Sequence, residues 1–186
     1  QFFGRMHAQT FVTAANACHP LPDDVPWDVG VLISGDALGV PYHTSTMLAR
    51  YPVETIAVFG LGPIGLGHVI MQTHLGKKVI GIDLSPERLA LARAYGAWRT
   101  IDAKAGDAVE AVRSLTGGGA DACMEAAGRA STAKQCFAAV RTGGVVVFNG
   151  EHQHNVELSI SEDFIRRDIT AFGAWFYHFG EFDAML

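Results

Sequence analysis

The sequence predicts an α/β fold, a doubly wound sheet of six parallel strands in the order 3-2-1-4-5-6, and three observations carry that reading. From Thr55 onward, short apolar runs alternate with segments of helical periodicity. The runs are apolar along their whole length, as strands covered on both faces are. Glycines or a Ser-Pro pair punctuate the junctions between them.

Taken in order, Thr55-Ile56-Ala57-Val58-Phe59 is the first strand, and it runs into Gly60-Leu61-Gly62-Pro63-Ile64-Gly65. Leu66, Val69, Ile70 and Thr73 then recur at helical spacing, and Gly76 can stop that helix in a left-handed cap. Val79-Ile80-Gly81-Ile82-Asp83 is the second strand. Ser85-Pro86-Glu87 opens the next helix, with Ser as cap and Pro in the first turn, and Gly96 ends it. A third strand is expected over Trp98 to Ile101, a helix over 107–115, and an exit at Thr116-Gly117-Gly118-Gly119. Asp121 to Glu125 is the fourth strand, followed by a turn at Gly128 and a helix from near Ser131. The turn Gly143-Gly144 leads into the fifth strand, Val145 to Phe148; a helical turn near Glu162 to Arg166 precedes the sixth, Ile169 to Ala174. Right-handed crossovers then give two halves, with a crevice at the carboxyl ends where strands one and four separate.

The first fifty residues read differently. Pro20, Pro22, Pro26 and Pro41 break them into a strand (Ala8 to Thr13), a bend, and one helix from about Trp27 through Arg50 interrupted at Gly35 to Pro41. That is too little for an independent domain. We read residues 1–50 as the end of a truncated preceding domain plus a connecting helix, and 51–186 as the nucleotide-binding domain. The opening Gln1-Phe2-Phe3-Gly4-Arg5, without Met or a signal-peptide layout, reads as the middle of a longer protein.

Composition narrows the partners. A net charge of −5 with no Lys/Arg run argues against nucleic acid or an anionic membrane. Lys77, Lys78, Asp83 and Glu87 interrupt the most apolar part, so no stretch reaches membrane-spanning length. Cys18, Cys123 and Cys136 are odd in number and form no C-x-x-C pair, which suggests a reducing compartment, the cytosol. Cys123 and Cys136 are best explained as core residues.

The Gly60 to Gly65 segment is a G-x-G-x-x-G pattern set between a strand and a helix, the context that makes it a dinucleotide-binding fingerprint. Gly60 allows the tight turn, Gly62 lets the backbone approach a pyrophosphate, and Gly65 lets helix and strand pack closely. The helix end beyond them offers unpaired N–H groups to phosphate. Asp83, 23 residues after Gly60, stands where a carboxylate accepts both adenosine ribose hydroxyls. It would repel a 2′-phosphate, which favours NAD over NADP.

With Pro63 inside the fingerprint, the helix through Arg88-Leu89-Ala90-Leu91-Ala92-Arg93-Ala94-Tyr95-Gly96-Ala97, and the turns Glu125-Ala126-Ala127-Gly128 and Arg141-Thr142-Gly143-Gly144, the chain resembles the medium-chain dehydrogenase/reductase family, relatives of zinc alcohol dehydrogenase. The resemblance covers nearly the whole chain and implies a Rossmann domain. It implies that Ile64 and Gly65 meet the pyrophosphate, that Arg88 lies over the adenosine, and that Ala126, Ala127 and Arg129 border the nicotinamide half. Asn149 and Gly150 would bind the carboxamide. It further implies a small-molecule alcohol or polyol substrate and a homo-oligomer joined at the sixth-strand edge, where Phe172, Trp175, Phe176, Tyr177 and Phe179 cluster.

A catalytic zinc needs three protein ligands and an open position. Alignment on Tyr42-His43 puts Asp36 at the family's third-ligand place; without that anchor Gly35 falls there, and Asp36 is equally readable as a helix cap. Val40 stands where many relatives carry Thr beside the nicotinamide. His152-Gln153-His154 lies in a polar loop without a third ligand, His43 is read as structural, and His68 and His74 are expected on the exposed side of their helix; His7, His19 and His178 show no partner pattern. No nucleophile elbow or Walker loop is present. The expectation is the cofactor-binding part of an NAD-dependent, zinc-assisted dehydrogenase. A zinc-free quinone or enoyl reductase of the same family, or a non-catalytic dinucleotide sensor, are the alternatives.

Overall fold

The computed structural model describes residues 9–151 and 153–186. In chain order the main elements are α1 (Trp27–Ser34), α2 (Asp36–Leu48), β1 (Thr55–Phe59), α3 (Pro63–His74), β2 (Lys78–Asp83), α4 (Pro86–Ala94) and β3 (Arg99–Asp102). There follow α5 (Ala108–Thr116), β4 (Ala120–Glu125), α6 (Ala130–Ala139), β5 (Val140–Phe148), β6 (Thr170–Gly173) and α7 (Phe182–Met185). The six strands form one sheet in the order 3-2-1-4-5-6 with every neighbouring pair parallel, as the alternation predicted.

Both sheet faces are covered, which explains the unbroken apolar runs. Ala57 and Phe59 of β1 point into one cluster with Ile80, Val112, Cys123 and Phe137. Ile56 and Val58, alternating with them, point into another with Val69, Leu89, Met124 and Val147. Each such large side chain fully removed from water stabilises the fold by about 1.5–3 kcal/mol. Cys123 and Cys136 are free and buried; burial pushes both thiols well up, so neither is a nucleophile at neutral pH.

Local chemistry sets the element ends. Ser85 Oγ accepts from Arg88 N to cap α4, and Asp107 Oδ1 accepts from Val109 N (2.8 Å) and Glu110 N to cap α5. Gly76 and Gly117 end α3 and α5 at positive φ. Below the sheet, Asp121 accepts from Arg141 Nε at 2.6 Å and from Glu54 N, Thr55 N and Thr55 Oγ1. Burial alone would raise this carboxyl, but those donors outweigh it and hold its pKa at about 2.

Three expectations need correction. Of the strand placed over Ala8 to Thr13, Ala8 lies outside the described residues, and the rest pairs with no strand among those described. The interrupted helix is two helices broken only at Gly35, and α2 continues through Pro41. Proline removes the N–H that would have bonded the Ala37 carbonyl. That carbonyl instead lies against Gly67 of α3, where a Cβ would collide with it and with Pro41. Finally, β5 starts at Val140 rather than Val145: the Gly143-Gly144 turn is absorbed into the strand as an irregularity opposite Ala120 to Ala122. β6 is Thr170–Gly173, inside the expected span, and the helical turn before it is a π-turn at Ile160–Phe164 followed by a 3-10 turn at Ile165–Arg167.

Candidate dinucleotide-binding site

Two clefts meet at the carboxyl end of the sheet, over β1 and β4. The first, about 490 Å³, is walled by Gly60, Gly62, Asp83, Arg88, Ala126, Ala127 and Arg129, together with Leu84, Ala103, Ser131, Thr132 and Gln135. The second, about 370 Å³, shares Ala126 and Ala127 and adds Asp36, Val40, Ile64, Asn149, Gly150, Ala174, Trp175 and Phe176. The structure therefore draws the sequence-predicted residues together along one continuous trough. Pro63 and Gly65 line neither cleft: Pro63 is the exposed first residue of α3, and Gly65 is buried beneath the turn.

The three fingerprint glycines have different roles. Gly60 takes φ +94°, and a Cβ there would meet Ala127 at 2.7 Å. At Gly65 a Cβ would strike the Gly60 carbonyl. At Gly62 it would meet nothing within 4 Å, so the fold does not require glycine there; the free space faces the cleft, as expected of a position kept bare for a ligand.

Two helix N-termini open toward the trough, and their electrostatics differ. Glu125, fully buried at the end of β4, turns its carboxylate onto the start of α6, accepting from Ala127 N (3.1 Å), Gly128 N, Arg129 N and Thr132 Oγ1 (2.5 Å). The N–H groups of that end are already taken up by Glu125. α3 has no side-chain cap at Gly62, so its first-turn N–H groups and dipole are the ones left for a phosphate.

Asp83 is held firmly. Its Oδ2 accepts from Leu61 N at 2.6 Å and its Oδ1 from Leu84 N and Ser85 N at 2.8 and 2.9 Å. A carboxylate has about four acceptor sites, so one remains on Oδ2 for a ligand, and the expectation of two ribose contacts narrows to one. Arg88 Nη1 lies 3.7 Å from Oδ2 with its side chain 53% exposed, free to swing over the cleft.

The second cleft departs from expectation at Asn149. Its side chain faces inward: Nδ2 donates to Thr44 Oγ1 (3.0 Å) and to the Ala174 carbonyl (3.2 Å), while Oδ1 lies 3.0 Å from His68 Nε2. His68 is fully buried, not exposed as its place on the helix suggested, because α2 covers that side of α3. Burial lowers its pKa to about 4 against the opposing hydrogen bond of Asn149, so the ring is neutral at neutral pH. Gly150 sits so close to Gly128 and Glu125 that a Cβ would overlap both. Glu125 and His68 are the residues sequence reasoning missed; both looked like ordinary members of their elements, and only tertiary packing sets them apart.

His19, His43 and His178 make structural contacts. His43 Nδ1 lies 3.0 Å from Glu181 Oε1, His19 stacks on Phe179 and Phe182, His178 pairs with Glu181 in a capping box, and His74 is exposed. His7 and His152 lie outside the described residues. Asp36 is exposed in the first turn of α2 without capping α2. Among the described residues no group of three His, Cys, Asp or Glu could hold a metal ion, so Asp36 alone does not make a zinc centre.

An open parallel sheet in the order 3-2-1-4-5-6, with an uncapped helix end at its topological switch point and an acidic residue closing the second strand, defines a Rossmann-like α/β domain. Residues 63–186 match the family model described as zinc-binding dehydrogenase, and the chain belongs to that family. It is 31% identical over 160 residues to sorbitol dehydrogenase of Bacillus subtilis (84% of this chain, 44% of that protein). It is 29% identical over 164 residues to D-xylulose reductase of Scheffersomyces stipitis (87% and 44%). The alcohol dehydrogenase TADH from Thermus sp. ATN1 superposes with a TM-score of 0.82 at 30% identity, over 89% of this chain and 48% of that one. The chain spans about half the length of the curated relatives it matches. No helix among the described residues is long and apolar enough to cross a membrane.

Proposed function

We propose that this chain is the cofactor-binding part of an NAD-dependent, zinc-assisted alcohol or polyol dehydrogenase. One observation carries the cofactor reading: the pinned Asp83 carboxylate and the bare Gly62, which leaves the start of α3 without a side-chain cap, line the same cleft. When bound, NAD supplies the hydride acceptor. The chain's own part is to hold it: Asp83 takes a ribose hydroxyl, the first-turn N–H groups of Ile64 and Gly65 meet the pyrophosphate, and Arg88 covers the adenosine. Ala126, Ala127 and Arg129 carry the trough toward the second cleft, where the ends of β5 and β6 border the nicotinamide. The substrate class rests on the sorbitol and xylulose enzymes among the relatives. Zinc assistance rests on the family, since among the described residues no three His, Cys, Asp or Glu gather into a metal centre. The free cysteines support a cytosolic setting.

Calorimetric titration with both cofactors tests the reading. NAD should bind at least about tenfold more tightly than NADP, a gap of only about 1.4 kcal/mol, which one carboxylate opposing a phosphate can supply. Asp83→Ser should narrow it, since it removes the repulsion and releases Arg88 toward a 2′-phosphate. Equal or reversed affinities in the unmodified chain would overturn the proposal.

A further inference from the structure

We propose that His68 is a positioning residue for the nicotinamide half of the trough, acting through Asn149 to hold the ends of β5 and β6 in register with α2 and α3. The inference rests on the cofactor reading above and assigns a role to a residue that touches no ligand.

The hydrogen bonds around Asn149 can be assigned without ambiguity. The Ala174 carbonyl can only accept, so the group facing it is Nδ2. The second amide hydrogen then goes to Thr44 Oγ1, and Oδ1 is left facing His68. The neutral ring must therefore carry its proton on Nε2, and its Nδ1 has no partner among the described residues. A single amide thus joins four elements: α2 through Thr44, α3 through His68, the end of β5 at Asn149 and the end of β6 at Ala174.

Both Asn149 and Ala174 line the second cleft. So does Ile64, which precedes His68 by one turn on the same face of α3. The bond from His68 consequently ties the strand ends beside the second cleft to α3, one turn after Ile64. The first cleft shares none of these groups; its wall comes from β1, β2, α4, α6 and the Gly60–Gly62 turn before α3. An apolar residue at position 68 would remove the unpaired Nδ1 but would leave Asn149 Oδ1 without its donor, and with it the bond that sets the amide's orientation.

The test compares two ligands on the whole chain: NADH, which spans both clefts, and ADP-ribose, which lacks the nicotinamide ring. His68→Leu should weaken NADH binding about tenfold while changing ADP-ribose binding less than about threefold. His68→Gln, whose amide can donate to Asn149 Oδ1, should stay within about threefold of the parent for both. Equal losses for the two ligands in His68→Leu, or no loss for either, would overturn the inference. If His68→Leu does not fold, Thr44→Val removes a partner of the same amide from the α2 side, and the same selective loss is expected, with parallel or absent losses again counting against it. A parent chain that binds ADP-ribose and NADH equally refutes this inference alone; one that binds neither refutes the cofactor reading and the inference together.

Discussion

Acidification from pH 7 should destabilise the chain through His68. In the unfolded chain this imidazole takes up a proton near its ordinary pKa of 6.5, whereas in the folded chain burial holds it neutral down to about 4. The unfolded state therefore binds more protons between those values, and stability must fall as pH falls through that window. Above 6.5 the contribution is fully present; below about 4 both states are protonated and the loss levels off. The interval, at about 1.36 kcal/mol for each pH unit crossed, comes to about 3 kcal/mol. Against a total stability of about 5–15 kcal/mol that is a large share. Urea unfolding of the parent chain and of His68→Gln, at half-unit steps from pH 7.5 to 4, isolates it, since Gln cannot titrate and the other ionisable groups cancel in the difference. The parent should lose its 3 kcal/mol relative to the variant over this range. A constant difference, or a parent that gains on acidification, would show that the ring is protonated or solvated in the folded chain and would refute the reasoning.

Replacing Glu125 by Gln should lower stability by about 2–4 kcal/mol in thermal melts, because a buried acceptor of four hydrogen bonds becomes in part a donor facing donors. We also propose that the β6 edge, with Trp175 and Phe176 exposed beside it, joins a second copy of the chain, so light scattering at micromolar concentration should give a dimer mass and not a monomer.

The sheet was legible because its rules are local. Six apolar runs and the glycines between them specify strands, crossovers and order without knowledge of what packs where, and the segment from Gly60 to Gly65 marks the turn from the first strand into its helix. The departures share a cause: each depends on a neighbour distant in sequence. Pro41 signals a helix break, and nothing nearby reveals that Gly67 waits across the interface to receive the freed Ala37 carbonyl. His68 sits on what a helical wheel calls the polar side of α3, yet α2 turns that side into interior. The same covering explains Asn149, whose amide looked available to a ligand and is instead taken up by Thr44, Ala174 and His68.

The two clefts are also assembled from the chain in different ways. The first draws on one unbroken stretch, from Phe59 to Gln135, whereas the second collects its walls from Asp36, the middle of the chain and Phe176. Contacts of long sequence separation form late and close the larger loops. On the proposed reading, recognition of the adenosine end is therefore a property of a contiguous segment, whereas recognition of the nicotinamide end is a property of the completed topology and the first to be lost when α2 or β6 comes away.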